Sequence, residues 1–236
     1  MNNHIHLLNH FGNLIRKYPE HHYWISQIGT LAIKYPEKID QIADCFSFGQ
    51  IESKLWLIKE LLNVTDDLGT VFTLAGWYGS LGGLLLADKR FRIIKVRSFD
   101  MDQSCADLAD TMNRTPWVKD SWRFKASTAN IVDFDYDITT YKTLRADNSE
   151  VELQDIPNTI INTSCEHIEP FDLWINLLPA RQLLVLQSNN YYDGDGHVNC
   201  AANLAQFKSQ CQLREVMFEG ELKLDKYTRF MLIGRR

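Results

Sequence analysis

The chain has no G-x-x-x-x-G-K-[ST] after any apolar run, so a P-loop and the triphosphate chemistry it serves are excluded. It also has no apolar run near the roughly 18 residues that a membrane helix needs. Its start, Met1-Asn2-Asn3-His4-Ile5-His6, lacks the basic flank and continuous apolar core of a signal peptide, so no membrane partner and a cytoplasmic location are expected. There is no basic surplus either. The net charge is −5, which disfavours binding nucleic acid by bulk electrostatics, because phosphate neutralisation needs a clustered basic face. Five cysteines, Cys45, Cys105, Cys165, Cys200 and Cys211, form no C-x-x-C pair and are odd in number. A structural zinc or a complete disulfide framework is therefore not expected, and reduced thiols fit best.

What is present is the composition of a folded domain. With 236 residues, 45% of them hydrophobic and 23% charged, the chain suffices for one α/β domain and an N-terminal extension. From Leu7 to Phe46 apolar residues recur at helical spacing, interrupted at Tyr18-Pro19-Glu20 and Tyr35-Pro36-Glu37, which predicts three short helices. A helix over 50–62 follows, with Ile51, Leu55, Ile58 and Leu62 on one stripe. Strands are then predicted at 70–75, 92–99, 122–127, 158–163, 182–188, 212–222 and 227–234. Helices are predicted at 80–88, 103–112, 170–178 and near 201–209. This alternation argues for a doubly wound, mostly parallel sheet with helices on both faces. The last two strands lie too close together for a crossover, so the sheet should end in an antiparallel hairpin. The expected division is residues 1–49 as a helical extension and 50–236 as the α/β domain.

The most informative segment runs from Thr70 to Leu86: an apolar strand, the glycine-rich turn Gly76-Trp77-Tyr78-Gly79-Ser80-Leu81-Gly82, and the start of a helix. A dinucleotide fingerprint needs glycine where Tyr78 stands, so that the backbone can approach a pyrophosphate. NAD and FAD are therefore disfavoured. What remains is a ligand with an adenosine end and no phosphates, for which a carboxylate after the second strand would hold the ribose hydroxyls. Asp100, in Asp100-Met101-Asp102, comes first after that strand and is the better candidate.

Over residues 50–236 these motifs resemble the class I S-adenosylmethionine-dependent methyltransferases. The glycine turn matches the family's first motif and Asp100-Met101-Asp102 its ribose-binding acid. Ser127-Thr128-Ala129-Asn130 matches the turn beside the adenine, and Ile160-Ile161-Asn162-Thr163-Ser164-Cys165-Glu166-His167-Ile168 the strand-four motif of many small-molecule methyltransferases. His197 falls where those enzymes often carry a histidine. The resemblance implies a Rossmann-like methyltransferase fold with S-adenosyl-L-methionine as cofactor, bound by Gly76, Trp77, Tyr78, Gly79, Asp100, Met101, Asp102, Thr128, Ala129, Asn162 and Ser164. Two positions depart from the pattern. The family's acid two residues before the first glycine is Leu74, and the acid of the adenine turn is replaced by Thr128 or Asn130. Main-chain carbonyls of the glycine turn would then receive the methionine ammonium.

Glu166 and His167 are the expected catalytic pair: a histidine at a strand end can act as a general base, and a neighbouring carboxylate can orient it or bind substrate. The alternative reading makes Glu166 a backbone anchor and His167 a packing residue. Trp77 and Tyr78 either stack on ligand or pack, and Cys165 is expected to be a buried thiol. The loop Tyr191-Tyr192-Asp193-Gly194-Asp195-Gly196-His197 either covers substrate or is a solvated turn. No metal is expected, since His4, His6, His10, His21 and His22 read as surface residues. Asn162-Thr163-Ser164 lacks the prolines and aromatic of nucleobase amino-methyltransferases. The expected activity is methyl transfer to a small molecule. A non-catalytic binding subunit and an RNA methyltransferase are the alternatives, the latter disfavoured by charge. Oligomeric state is not legible.

Overall fold

The computed structural model describes Gly12 and residues 22–115, 118, 122–145 and 147–236. The helix expected before Tyr18 therefore lies almost entirely outside the described residues. Helices α1 (Tyr23–Lys34), α2 (Ile39–Asp44) and α3 (Phe48–Val64) come first, with Pro36 opening a one-turn 3-10 helix between α1 and α2. Proline fits there because its missing N–H is one that a helix start leaves unpaired anyway.

Seven strands follow in one sheet: β1 (Asp67–Leu74), β2 (Arg92–Asp100), β3 (Phe124–Thr128), β6 (Thr159–Asn162), β7 (Leu183–Asn189), β8 (Glu215–Lys223) and β9 (Thr228–Arg235). Their spatial order is β3-β2-β1-β6-β7-β9-β8, with the first five parallel and β9 antiparallel to both β7 and β8. The expected mostly parallel sheet with a terminal hairpin is thus the fold. The helices between strands are α4 (Ser80–Ala87), α5 (Cys105–Met112), α6 (Phe171–Leu177) and α7 (Leu204–Cys211).

Alternation along the buried strands divides the core in two. Val71, Val96, Ile161, Val185 and Ile233 join one apolar cluster, whereas Phe72, Phe99, Ile160, Leu184 and Leu232 join the other, because successive side chains leave opposite faces of a strand. The first cluster includes Trp24, Ile28, Leu31, Ile42 and Phe46, so α1 and α2 share the core of the sheet. Polar contacts reinforce this docking: Lys34 Nζ lies 2.6 Å from Asp107 of α5, to which the Tyr35 hydroxyl also donates. Among the described residues no helix is long and apolar enough to cross a membrane.

One element was not foreseen. Strands β4 (Thr139–Leu144) and β5 (Glu150–Asp155) form a separate antiparallel hairpin inserted before β6. Asp155 fastens it to the main sheet. Its Oδ2 accepts from Arg97 Nε at 2.8 Å and from the Tyr141 hydroxyl at 2.5 Å, and Lys95 donates to Oδ1. Burial works against ionising Asp155, but the bonds from Lys95, Tyr141 and Arg97 prevail and hold its carboxyl below the ordinary range.

Replacing Asp155 by Asn would leave the buried Arg97 guanidinium without its counter-ion, which should cost about 3–5 kcal/mol at neutral pH. A carboxyl whose folded pKa is depressed contributes stability above its unfolded pKa and loses it as pH falls through the folded value. The gap between wild type and variant in denaturant unfolding should therefore narrow in acid. Equal stabilities at neutral pH would contradict the role given to this ion pair.

Candidate functional site

At the carboxyl ends of β1, β2, β6 and β7, where open α/β sheets place ligands, lies a cavity of about 1250 Å³. The turn after β1 forms one wall. Ala75 and Trp77 hold φ of 48° and 47°, a region that side-chain-bearing residues seldom occupy and that is maintained only where surrounding bonds fix it. Those bonds come from β2. Gly76 N–H donates to the Phe99 carbonyl at 2.9 Å, and Trp77 N–H donates to Asp100 Oδ2 at 2.8 Å.

Asp100 is therefore both a cavity residue and the clip that holds the turn. Its Oδ1 accepts Asp102 N–H at 3.0 Å, and its main-chain carbonyl accepts Ala129 N–H at 2.9 Å. Burial raises the pKa of its carboxyl, with the amides of Asp102 and Trp77 pulling the other way. A carboxylate has about four acceptor positions, so two remain for hydroxyls arriving from the cavity.

The two aromatic residues of the turn separate. Trp77 lines the cavity, whereas Tyr78 is 2% exposed and donates its hydroxyl to Gln41 Oε1 at 3.0 Å. The rings stack at 4.9 Å. Tyr78 is thus a core residue, and the bulky group at the turn's middle points away from the space a ligand would use. Of the other expected residues, Gly76, Met101, Asp102, Ala129, Ser164, Glu166 and His167 line the cavity. Gly79, Thr128 and Asn162 do not. Gly79, at φ 72°, faces Phe124 and Asn113, Thr128 is exposed at the strand end, and buried Asn162 accepts Ser164 N–H at 2.8 Å.

The carboxylate of Glu166 is held by side chains, whereas the residue's main-chain carbonyl accepts the Val198 and Asn199 amides at 2.9 and 2.8 Å. Its Oε1 accepts from Asn189 Nδ2 at 2.6 Å and from Arg229 Nη2 at 3.4 Å, while Arg229 Nη1 donates to the Thr163 carbonyl at 2.6 Å. His167 is exposed, and its orienting partner is the Gly196 carbonyl at 3.0 Å, not the adjacent carboxylate. Cys165 is fully buried and burial pushes its thiol well above the ordinary range, so it is an inert packing group.

Lys54 stands with Gln50 and Ser53 at the start of α3, a helix that reads in sequence either as a substrate-side wall or, the favoured reading, as an ordinary helix packed on the sheet. Lys54 is 6% exposed, lines the cavity, and among the described residues donates to Gln50, to Oε1 at 2.6 Å and to the main-chain carbonyl at 3.4 Å. Burial lowers its pKa to about 8. Among the described residues no carboxylate pairs with it within salt-bridge distance. An unpaired buried cation on a cavity wall is costly to the fold and suited to an anionic ligand group.

Compared with family models and with curated protein sequences, the chain matches none. Solved structures do match its fold. The N-methyltransferase NodS from Bradyrhizobium japonicum WM9, in complex with S-adenosyl-L-homocysteine, gives a TM-score of 0.54 at 10% identity over 79% of this chain and 87% of that one. The magnesium protoporphyrin IX methyltransferase ChlM from Synechocystis PCC 6803, with bound S-adenosyl-L-homocysteine, gives 0.53 at 14% identity over 78% and 80%. A S-adenosylmethionine-dependent methyltransferase from Clostridium acetobutylicum ATCC 824 gives 0.50 at 10% identity over 78% and 91%. At such identities the likeness is one of fold.

Lys54 gives a clear expectation. Lys54→Met should raise the melting temperature at neutral pH, because it removes a charge the fold disfavours. A lysine whose folded pKa lies below its unfolded value makes the wild type gain stability as pH rises between the two. The advantage of the variant should accordingly shrink as pH is raised from about 8 toward the ordinary lysine range. A variant less stable than wild type at pH 7 would show that the buried ammonium is already satisfied.

Proposed function

We propose that this chain, which has the Rossmann-like fold of the class I S-adenosylmethionine-dependent methyltransferases, is itself such an enzyme and that its acceptor is a small molecule. The observation that carries this reading is Asp100, a carboxylate with free acceptor positions at the rim of the cavity, clasped to the amide of a sharply bent turn. S-adenosylmethionine, when bound, supplies a methyl group already activated on a sulfonium.

The residues of the cavity divide the work of holding it. Asp100 accepts hydrogen bonds from the ribose hydroxyls, Trp77 and the main chain around Gly76 line the adenosyl side, and Ala129 lies beside the adenine. Lys54 receives the carboxylate of the methionine end. Leu74 lines the cavity where the family carries an acid, so main-chain carbonyls of the turn serve the ammonium. Acceptor activation falls to the far end, at Glu166 and His167. The loop from Tyr191 to His197 borders that end, with the Tyr191 ring stacked on Tyr227 at 5.7 Å. A net charge of −5 favours a small acceptor over RNA. The missing acid at Leu74 favours a second reading, a binding subunit without turnover.

Calorimetry with S-adenosylhomocysteine tests the assignment. Asp100→Ala should weaken binding by about 10- to 100-fold, the range for hydrogen bonds to a charged group. Lys54→Met should weaken S-adenosylhomocysteine but leave 5′-methylthioadenosine, which has no carboxylate, unchanged. Wild-type affinity for S-adenosylhomocysteine should also fall as pH rises through about 8, when Lys54 loses its proton. Identical affinities in wild type and both variants would place the ligand elsewhere.

A further inference from the structure

Three side chains with metal-ligating atoms converge at the acceptor end. One ligand atom from each of Glu166, His167 and His197 lies within 4.8 Å of the other two. Glu166 and His167 belong to the one-turn 3-10 helix after β6, and His197 to the loop between β7 and α7.

The hydrogen bonds fix what each offers. His167 Nδ1–H donates to the Gly196 carbonyl at 3.0 Å, and His197 Nδ1–H donates to the Tyr191 carbonyl at 2.5 Å. A carbonyl can only accept, so each neutral ring carries its proton on Nδ1 and keeps a lone pair on Nε2. Glu166 repeats the arrangement: Oε1 is bound by Asn189 and Arg229, while Oε2 is buried with no hydrogen-bond partner. An unpaired buried carboxylate oxygen is expensive and calls for a cation or a donor.

The loop is shaped around the imidazoles. A Cβ on Gly194 would lie 2.4 Å from the His197 ring, and Gly196, at φ 69°, turns the chain so that its carbonyl meets His167. Back-bonded histidines of this kind are what metal sites use to fix ring orientation and tautomer. Proton abstraction alone would need a single such group, and here three ligand-bearing side chains meet.

We propose that Glu166, His167 and His197 bind a divalent transition-metal cation. Two imidazole nitrogens and one carboxylate oxygen suit first-row ions from manganese to zinc better than magnesium or calcium, which prefer oxygen alone. Three protein ligands leave coordination positions open toward the cavity. Resting on the methyl-transfer reading above, the inference extends to the acceptor, which is then a hydroxyl compound. Its oxygen coordinates the cation and releases its proton to water. It next forms the bond to the methyl carbon, and the carbon–sulfur bond breaks with its electron pair staying on sulfur as a neutral thioether.

Cobalt(II) is the probe, titrated into the full chain without any adenosyl ligand and followed by its visible d–d bands and by melting temperature. His167→Ala/His197→Ala is the comparison, because His167 is exposed and the double variant controls for cobalt taken up by other histidines. Wild type should bind one more equivalent of cobalt than the double variant and should gain melting temperature with it. Equal spectra and equal melting shifts in the two proteins, or none in either, would overturn the site. S-adenosylhomocysteine calorimetry on the same preparations separates the two ideas. Its binding without the extra cobalt equivalent overturns the cation site alone. The extra cobalt equivalent without its binding upholds the site and overturns the acceptor chemistry built on it.

Discussion

The bond from the Trp77 amide to the Asp100 carboxylate is the constraint from which the site follows. Ala75 and Trp77 sit in a left-handed conformation that each would leave if free, and β2 holds them there through Asp100 and the Phe99 carbonyl. The bend sends the Tyr78 ring into the helical layer, so the main chain at Gly76 borders the cavity. One carboxylate thus both shapes the turn and presents its spare acceptor positions to whatever lies against it. The parallel pairing of β1 with β2 sets the register that brings these residues together, Leu74 standing beside Phe99.

Charge inside the cavity is arranged at the expense of stability. Among the described residues Lys54 is buried with no acidic partner within salt-bridge distance, and Glu166 satisfies one oxygen with Asn189 and Arg229 while leaving the other bare. Neither arrangement helps the fold. By contrast, the Arg97–Asp155 pair, equally buried, is bonded on all sides and does structural work at the hairpin. Lys54 and Glu166 both lie on the cavity wall, where a ligand would satisfy them and where departures from ideal packing are expected in a binding site.

Much of this was legible in the sequence, for identifiable reasons. Continuous apolar runs gave β1 and β7, both buried on two faces, and the glycine turn and Asp100 were readable because backbone geometry and a single carboxylate carry the signal. The β4–β5 hairpin escaped notice because its alternation is mostly polar, with Thr139, Tyr141 and Thr143 inward and Thr140, Lys142 and Leu144 outward. Neighbouring Trp77 and Tyr78 look equivalent as text, and only the left-handed bend decides which ring meets the cavity. The burial of Lys54 is not legible in sequence, since it depends on what α3 packs against. Glu166-His167 and His197 were each legible from the resemblance, but not their convergence. It exists because the sheet places the loop after β7 next to the turn after β6.

A crystal structure of the chain soaked with S-adenosylhomocysteine would test the central claim most directly. The account predicts the ribose hydroxyls within hydrogen-bond distance of the Asp100 carboxylate, with the Trp77 amide bond retained and the amino-acid carboxylate toward Lys54. A ligand bound elsewhere, or an Asp100 turned away from the ribose, would contradict it.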